Sequence, residues 1–295
     1  MGECPKSASM LCFTVHTPTM SSGKRLGGDC FTKDRFSSIL PNVQRVLHTA
    51  QGELNRLQIK HGKGLKLKPM EILSSRVAQT DKLGETQHWS ANGFFTHLSL
   101  LERLVSKGEE ATAAQSWINA LFFRVAAILP AGNHMVLKLE RAESPIPLTD
   151  VPGTMNWIAL VTPSKVAAEG FTFMPLIPGL MEDSNASILF VSERRDNKSA
   201  NIQSTVCDMY KWARTRGENI IRGALTDGES WIFLILKLDA NGGGVWMRTD
   251  EIGIKDSFSK LSEFELALIP GILAHWVMHS HKDLEDGDYF EITAD

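Results

Sequence analysis

The stretch from Ser187 to Leu238 constrains the fold of this chain most, because strand, helix and hairpin signals follow one another within it. Residues 187–193 form an apolar run that becomes charged at its end, which is typical of a buried strand. The next segment keeps apolar residues at helical spacing, namely Ile202, Val206, Met209, Tyr210 and Ala213. Two further strand-like runs flank Thr226-Asp-Gly228, where glycine can take the positive φ of a tight turn. We therefore predict a strand, a helix and a β-hairpin in that order.

The elements on either side of this stretch predict an α/β or α+β fold with a mixed central sheet flanked by helices. Helical stripes are predicted over residues 43–57, 94–105, 109–129 and 264–279. Strands are predicted over residues 134–140, 157–162, 171–177 and 245–249. The chain is accordingly divided into an irregular segment (1–34), a helical extension (35–107), an α/β core (108–281) and an acidic tail (282–295).

The distribution of charge is uneven although the net charge is only -3. From Lys24 to Arg76 the sequence holds 11 Lys and Arg against 4 Asp and Glu, and from Asp283 to Asp295 it holds 6 acidic residues and no basic one. This asymmetry indicates either a nucleic-acid-binding arm with an acidic tail or two solvated ends. Within the basic region, the glycine-broken stretch from Lys60 to Lys68 either contacts phosphates or forms an exposed loop.

Cysteine usage and hydropathy bear on the compartment. The 4 cysteines show no Cys-x-x-Cys pair and no disulfide-framework spacing, which favours a reducing environment. No run of 18 apolar residues is present, so we expect no membrane segment. The prediction is an intracellular protein, nuclear or cytoplasmic.

Three short motifs together resemble the PD-(D/E)XK nuclease-like superfamily, in the divergent form seen in fungal proteins and Crinkler-type effectors. They are Glu193-Arg-Arg195 at a strand end, Gln203 with Tyr210 in the following helix, and Gly223-Ala-Leu-Thr-Asp-Gly-Glu-Ser-Trp-Ile-Phe233 in the hairpin. Members of this group often carry Glu-x-Lys at the first position. The resemblance covers about half of the chain, roughly Ala113 to His279, and implies a restriction-endonuclease-like core.

The resemblance also implies metal-assisted phosphodiester hydrolysis, in which carboxylates hold Mg²⁺ and the ion activates water. It implies Glu193 and the upstream Asp183 as metal ligands, and Gln203 as a residue facing the site from its helix. Arg195 stands where the catalytic Lys is expected, and it cannot act as a base because it stays protonated.

Several further residues belong to this interpretation. Lys198 is a candidate to replace the missing Lys, and Glu110 is either an additional acid or a first-turn charge favoured by the helix dipole. A phosphate backbone is expected to contact Arg194, Lys198, Lys211 and Arg214. The alternatives are that residues 193–196 are a solvated strand end and that the basic residues are the wet face of a helix.

His275 and His279 lie one helical turn apart and form a second candidate metal pair, with His281 beside them. No residue is spaced to complete four ligands, so a structural role is the alternative.

Two functions are expected from these residues. The first is a protein that binds DNA or RNA through a nuclease-like core, with catalysis weak or lost and Mg²⁺ required if catalysis survives. The second is a non-catalytic interaction or effector module that acts through a protein partner. The sequence leaves the oligomeric state open.

Overall fold

The computed structural model of the protein describes residues 50–86, 88–105, 110–141, 155–173, 186–194, 198–256 and 260–293. The helices are α1 (residues 50–56), α2 (Met70–Lys82), α3 (Ala91–Leu104), α4 (Glu110–Ile128), α5 (Lys165–Phe173), α6 (Lys198–Arg216) and α7 (Glu263–Met278). The strands are β1 (Ile59–His61), β2 (Leu65–Leu67), β3 (His134–Arg141), β4 (Met155–Thr162), β5 (Ser187–Glu193), β6 (Ile220–Thr226), β7 (Ser230–Leu238), β8 (Gly244–Arg248), β9 (Ile252–Gly253) and β10 (Phe290–Ile292).

The main sheet has eight strands, seven of them in the order β1-β8-β7-β6-β5-β4-β3, with β9 paired to β7. β5 and β6 are parallel because α6 connects them as a crossover, and β1 is parallel to β8. The other pairs in this sheet are antiparallel, and β10 pairs with β2 in a separate two-stranded sheet. The predicted fold class, a mixed central sheet flanked by helices, is confirmed.

Strand alternation divides the core into two layers. On β5, Leu189 and Val191 pack into the layer of α2, α3, α4 and α7, which we call the α4 face. Ile188 and Phe190 point the other way, into the layer of α1, α5 and α6, which we call the α6 face. Because both faces are covered, the central strands are continuous apolar runs rather than half-polar ones.

One predicted strand is wrong. Residues 171–177 were expected to form a strand, but the structure has helix α5 over Lys165–Phe173, and residues 174–177 lie outside the described part. Ala168 and Phe171 are buried three positions apart, as on one face of a helix. The preceding Lys-Val-Ala-Ala-Glu run favours a helix that the Phe-Thr-Phe signal concealed. The other predicted strands and helices are confirmed where the structure describes them.

The ends of the described chain contribute strands and buried side chains to the core. The 35–107 extension contributes β1 to the main sheet, and the Lys60–Lys68 stretch contains the last two residues of β1 and all of β2. In the segment predicted as an acidic tail, Phe290 is 1% exposed and Asp288 is 0% exposed. Aromatic packing and a buried partner for Asp288 bring this segment into the core.

Candidate functional site

The site that the sequence predicts lies at the carboxyl end of β5. Glu193 is the last residue of β5 and pairs with Thr226 on β6. By alternation with Leu189 and Val191, its side chain lies on the α4 face, and only 2% of it is exposed. The predicted metal ligand is therefore buried and not open to solvent.

The Thr226-Asp-Gly228 turn lies beside Glu193 and is tightly built, as predicted. The Thr226 hydroxyl donates to the Ser230 carbonyl at 2.7 Å and accepts from the Gly228 N–H at 2.9 Å. Asp227 Oδ1 accepts from the Ser230 N–H at 2.7 Å and from the Glu229 N–H at 3.1 Å. Gly228 has φ of 89°, and a Cβ there would lie 2.7 Å from the Trp117 Cβ. The turn is thus packed directly against α4.

Arg194 follows Glu193 and is held between two carboxylates. Its guanidinium forms an ion pair with Asp227 in the turn and another with Glu251 Oε1 at 2.9 Å. Its backbone N–H donates to the Thr226 carbonyl at 2.6 Å, and 15% of its side chain is exposed. Because both carboxylates compensate its charge, the prediction that Arg194 contacts a phosphate backbone is not supported by this geometry.

Lys255 forms a second charged cluster next to this turn. Its Nζ lies 2.7 Å from Glu229 Oε1, 3.4 Å from Glu102 Oε1 and 5.8 Å from the centre of the Trp117 ring. Burial alone would lower the pKa of Lys255, but hydrogen bonding to Glu229 and the two carboxylate charges raise it. The amine therefore stays protonated at neutral pH and is not a general base.

Gln203 does not join Glu193. It lies on α6, which covers the opposite face of the sheet, and its Nε2 donates to Gln51 Oε1 on α1 at 2.7 Å. Its Oε1 is buried and has no hydrogen-bond partner within the described ranges. The expectation that Gln203 faces the Glu193 site is corrected, because α1 occupies the surface that Gln203 reaches.

The remaining predicted site residues lie on α6 or outside the described part of the chain. Asp183 and Arg195 lie outside the described residues, and Lys198 begins α6 with a side chain that is also outside them. On α6, Lys211 forms an ion pair with Asp208 at 2.9 Å, and Arg214 is exposed. Of the phosphate contacts predicted on α6, Arg214 thus has an exposed side chain and no carboxylate partner among the described residues.

The described residues do not fit a Mg²⁺ site at the end of β5. β4 lies beside β5 with Asn156 opposite Ser192, and its sequence Met-Asn-Trp-Ile-Ala-Leu-Val-Thr holds no carboxylate. Among the residues whose positions are described, no three His, Cys, Asp or Glu side chains are arranged to hold a metal. Mg²⁺ prefers several oxygen ligands in a near-octahedral set. We therefore assign no step to this ion.

The acids around Arg194 were missed by sequence reasoning. Asp227 belongs to a recognised turn, but its role there is set by Arg194 and by the turn N–H groups. Glu251 comes close only because β9 pairs with β7, a two-residue ladder with no sequence signal of its own. No motif in the sequence indicates Lys255.

The histidine pair belongs to a buried ion-pair cluster at the far end of β6. Arg222 Nη1 donates to Asp288 Oδ2 at 2.6 Å, with the two side chains 1% and 0% exposed. The ring centres of His275 and His279 lie 4.4 Å apart, and His275 Nε2 lies 3.6 Å from Asp288 Oδ2. Burial alone would raise the pKa of Asp288, but hydrogen bonding to His275 and the charge of Arg222 hold it well below its usual range. These contacts indicate a structural role for the cluster.

Backbone and ring contacts complete this cluster. Arg222 Nε and Nη2 donate to the carbonyls of Lys282 and Asp283 at 3.2 and 2.9 Å. Trp276 Nε1 donates to Asp288 Oδ1 at 3.1 Å, and the Tyr289 N–H donates to the same oxygen at 2.8 Å. The charges are thus hydrogen-bonded as well as paired, which is what burial of an ion pair requires.

Comparison of the chain with protein-family models, with curated proteins and with solved structures gave no match. None of the described helices combines the length and apolarity needed to cross a lipid bilayer. The residues and their geometry therefore provide the basis for any functional assignment.

Proposed function

We propose that this chain binds nucleic acid through a nuclease-like core in which metal-dependent cleavage is lost. The order α4, β3, β4, α5, β5, α6 and β6 supports such a core, with β5 and β6 parallel around the α6 crossover. It agrees with the order that the sequence resemblance implies: a helix before the sheet, a strand ending in Glu193, then a helix and a hairpin.

One observation carries the loss of cleavage: the Arg194 guanidinium lies between Asp227 and Glu251. A divalent ion at this end of β5 would need the same carboxylate oxygens, and an arginine cannot be deprotonated to release them. The burial of Glu193 and the absence of a carboxylate on β4 act in the same direction.

The test uses the full chain with labelled single-stranded and duplex DNA and RNA, in Mg²⁺, in Mn²⁺ and in a chelator. We expect binding that weakens steeply with salt and no cleavage in any condition. Glu193→Gln should leave the cleavage assay unchanged, with circular dichroism showing that the variant is folded. Sustained Mg²⁺-dependent cleavage that disappears in Glu193→Gln would contradict the proposal.

A second candidate function, docking of a protein partner, is favoured by an apolar surface on α3 and α4. Phe123 is 46% exposed and Leu104 is 73% exposed. The Trp89 ring lies 5.1 Å from Phe123 and 4.7 Å from His97, measured between ring centres. This candidate would be favoured if the chain binds a protein partner and no nucleic acid. That binding should not change with salt concentration and should be lost in Phe123→Ser.

A further inference from the structure

The basic segment that the proposed function does not explain runs along one edge of the main sheet. From Arg56 to Lys68 the chain holds five Lys and Arg, one His and no acidic residue. β1 ends the strand order on this side, and its residues Ile59–His61 run parallel to β8. Leu65 then forms a parallel bridge with Thr249, the residue after β8, so the segment continues beside β8 and its extension.

The backbone of this segment is fixed on both sides. The Gly62 N–H donates to the Trp246 carbonyl at 2.8 Å, and the Gly64 carbonyl accepts from the Thr293 N–H at 2.9 Å. A Cβ on Gly62 would lie 2.4 Å from Val245 Cγ1, so glycine permits the close approach of β1 to β8. The lysines are therefore carried by an ordered edge, and little backbone entropy is lost when a ligand binds there.

Positive charge at this edge exceeds negative charge. Lys60 and Lys66 are exposed. Partial desolvation lowers the pKa of the His61 ring, and the charge of Arg248 at the end of β8 lowers it further. Glu291 lies opposite Lys66, and Asp250 is exposed beyond Thr249. Arg56 Nη2 lies 2.6 Å from Glu53 Oε1, so its charge is compensated and adds little to the positive charge of this edge.

An aromatic ring, that of His61, follows Lys60 on the same strand and lies near Arg248. The exposed His61 packs on Trp246 with ring centres 4.3 Å apart, which fixes the plane of the imidazole. Because its pKa is lowered from 6.5, the ring is neutral at neutral pH. Basic residues and a ring carried on one ordered segment supply both the phosphate and the base contacts that a single strand needs.

We infer that the edge formed by residues 59–67 and Arg248 is the nucleic-acid surface of this protein, and that it takes a single strand along the direction of β1. Lys60 and Lys66 are six residues apart, at most about 20 Å. That length spans about six nucleotides of a helically stacked strand at 3.4 Å each, and fewer of an extended one. The inference rests on the proposed function, and it assigns binding to this edge instead of to α6.

The experiment measures the affinity of the full chain for a labelled 20-nucleotide single strand by fluorescence anisotropy over a range of salt. In Lys60→Gln/Lys66→Gln we expect the Kd to rise roughly tenfold and the slope of log K against log salt to fall by about 1.4. The matched variant Lys82→Gln/Lys165→Gln removes the same charge from α2 and α5 and should change the Kd by less than about twofold. His61→Ala should weaken binding roughly fivefold or more, with the salt slope kept.

Other outcomes overturn the inference in distinguishable ways. If the wild-type chain binds but the edge variant binds equally well, or if Lys211→Gln/Arg214→Gln causes the loss instead, the inference fails while the proposed function stands. If the wild-type chain binds no nucleic acid at low salt, the proposed function fails and the inference fails with it. Edge-dependent binding to anionic vesicles or to an acidic peptide, without binding to the single strand, also overturns it. Tighter binding to duplex DNA with no effect of His61→Ala overturns the single-strand assignment.

Discussion

Arg194 directly follows β5, Arg222 lies on the adjacent β6, and both are paired with aspartate, yet their surroundings differ. Arg194 is 15% exposed, and its partners Asp227 and Glu251 are 32% and 30% exposed. Arg222 and Asp288 are 1% and 0% exposed, and two backbone carbonyls accept from the remaining guanidinium N–H groups. The buried pair joins β6 to α7 and to the segment before β10, whereas the partly exposed pair lies at the carboxyl end of β5.

An arginine–aspartate ion pair therefore has a different effect on stability after the end of β5 than it has inside the core at β6. An uncompensated charge in a dry interior is costly, whereas water can replace a lost partner near the surface. We therefore expect Arg222 to contribute strongly to the free energy of unfolding. At the end of β5, we expect Arg194 to be the cation that the carboxylates contact, in place of a divalent ion.

The largest effect is expected from Arg222→Met. The change leaves the Asp288 carboxylate buried without its partner, and should lower the free energy of unfolding by about 3–5 kcal/mol. Urea denaturation followed by circular dichroism measures it. The double variant Arg222→Met/Asp288→Leu should recover much of the loss, because no charge then remains buried. A loss below about 1 kcal/mol in the single variant would show that this pair is not the stabilising element.

Gly228→Ala should have the next largest effect, at the Arg194 end. It combines a positive φ of 89° with a Cβ placed 2.7 Å from the Trp117 Cβ and 3.0 Å from the Ala114 carbonyl oxygen. We expect a loss of about 2–3 kcal/mol in the free energy of unfolding. Gly132→Ala is the control, since Gly132 has φ of 87° with nothing within 4 Å, and should cost about 1 kcal/mol. Equal losses would mean that contact with α4 does not hold the turn.

Arg194→Met is expected to cost less, about 1 kcal/mol, because its ion pairs are partly exposed. Differential scanning calorimetry of this variant beside Arg222→Met tests the comparison directly. If Arg194→Met proves as damaging as Arg222→Met, the distinction between the two ends is wrong. Lys211→Met is a matched control, since it removes a surface pair with Asp208 at 2.9 Å.

The smallest effect is a loss of stability below pH 6.5, which we expect at the Arg222 end. Burial lowers the pKa of His279 from 6.5; its hydrogen bond to the His275 carbonyl opposes this, and the nearby His275, Lys282 and Arg222 lower it further. The unfolded chain therefore binds more protons than the folded one just below pH 6.5, and stability falls as the pH falls through that window.

The measurement is the urea midpoint between pH 7.5 and 5.5. His279→Gln should flatten its pH dependence, while His61→Gln removes the contribution of the β1 edge, where the pKa is also lowered. A midpoint that rises as the pH falls would contradict the sign of this prediction.

Much of the fold was predictable because local patterns determine it. The apolar runs of β4, β5 and β7 and the stripes of α3, α4 and α7 are confirmed within a few residues. The prediction failed where a short aromatic run in residues 171–173 outweighed the helix formers before it. Local patterns could not show the strands at Lys60–Lys68 or the burial of the acidic segment, where distant partners determine the structure: β1 needs β8, and Asp288 needs Arg222, 66 positions away.

The candidate site shows the same division. Sequence located Glu193 at a strand end and the Thr226-Asp-Gly228 turn beside it, since both depend on neighbouring residues. It could not show that Glu193 is buried, that Arg194 is held by Glu251, or that Gln203 lies across the sheet. Each of these depends on the face of the sheet that a side chain takes and on pairing between distant segments.

The pairing of β10 with β2 has a consequence for how the chain reaches its native state. Leu65 and Ile292 are register partners, Lys68 donates to the Asp286 carbonyl at 2.7 Å, and Arg76 donates to the carbonyl of Gly287. These contacts close a loop of more than two hundred residues, which makes them late and slow to form. During translation, β2 and the Arg222 guanidinium must wait without their partners until residues 286–292 leave the ribosome. In that interval the incomplete chain is most exposed to aggregation, as this topology dictates.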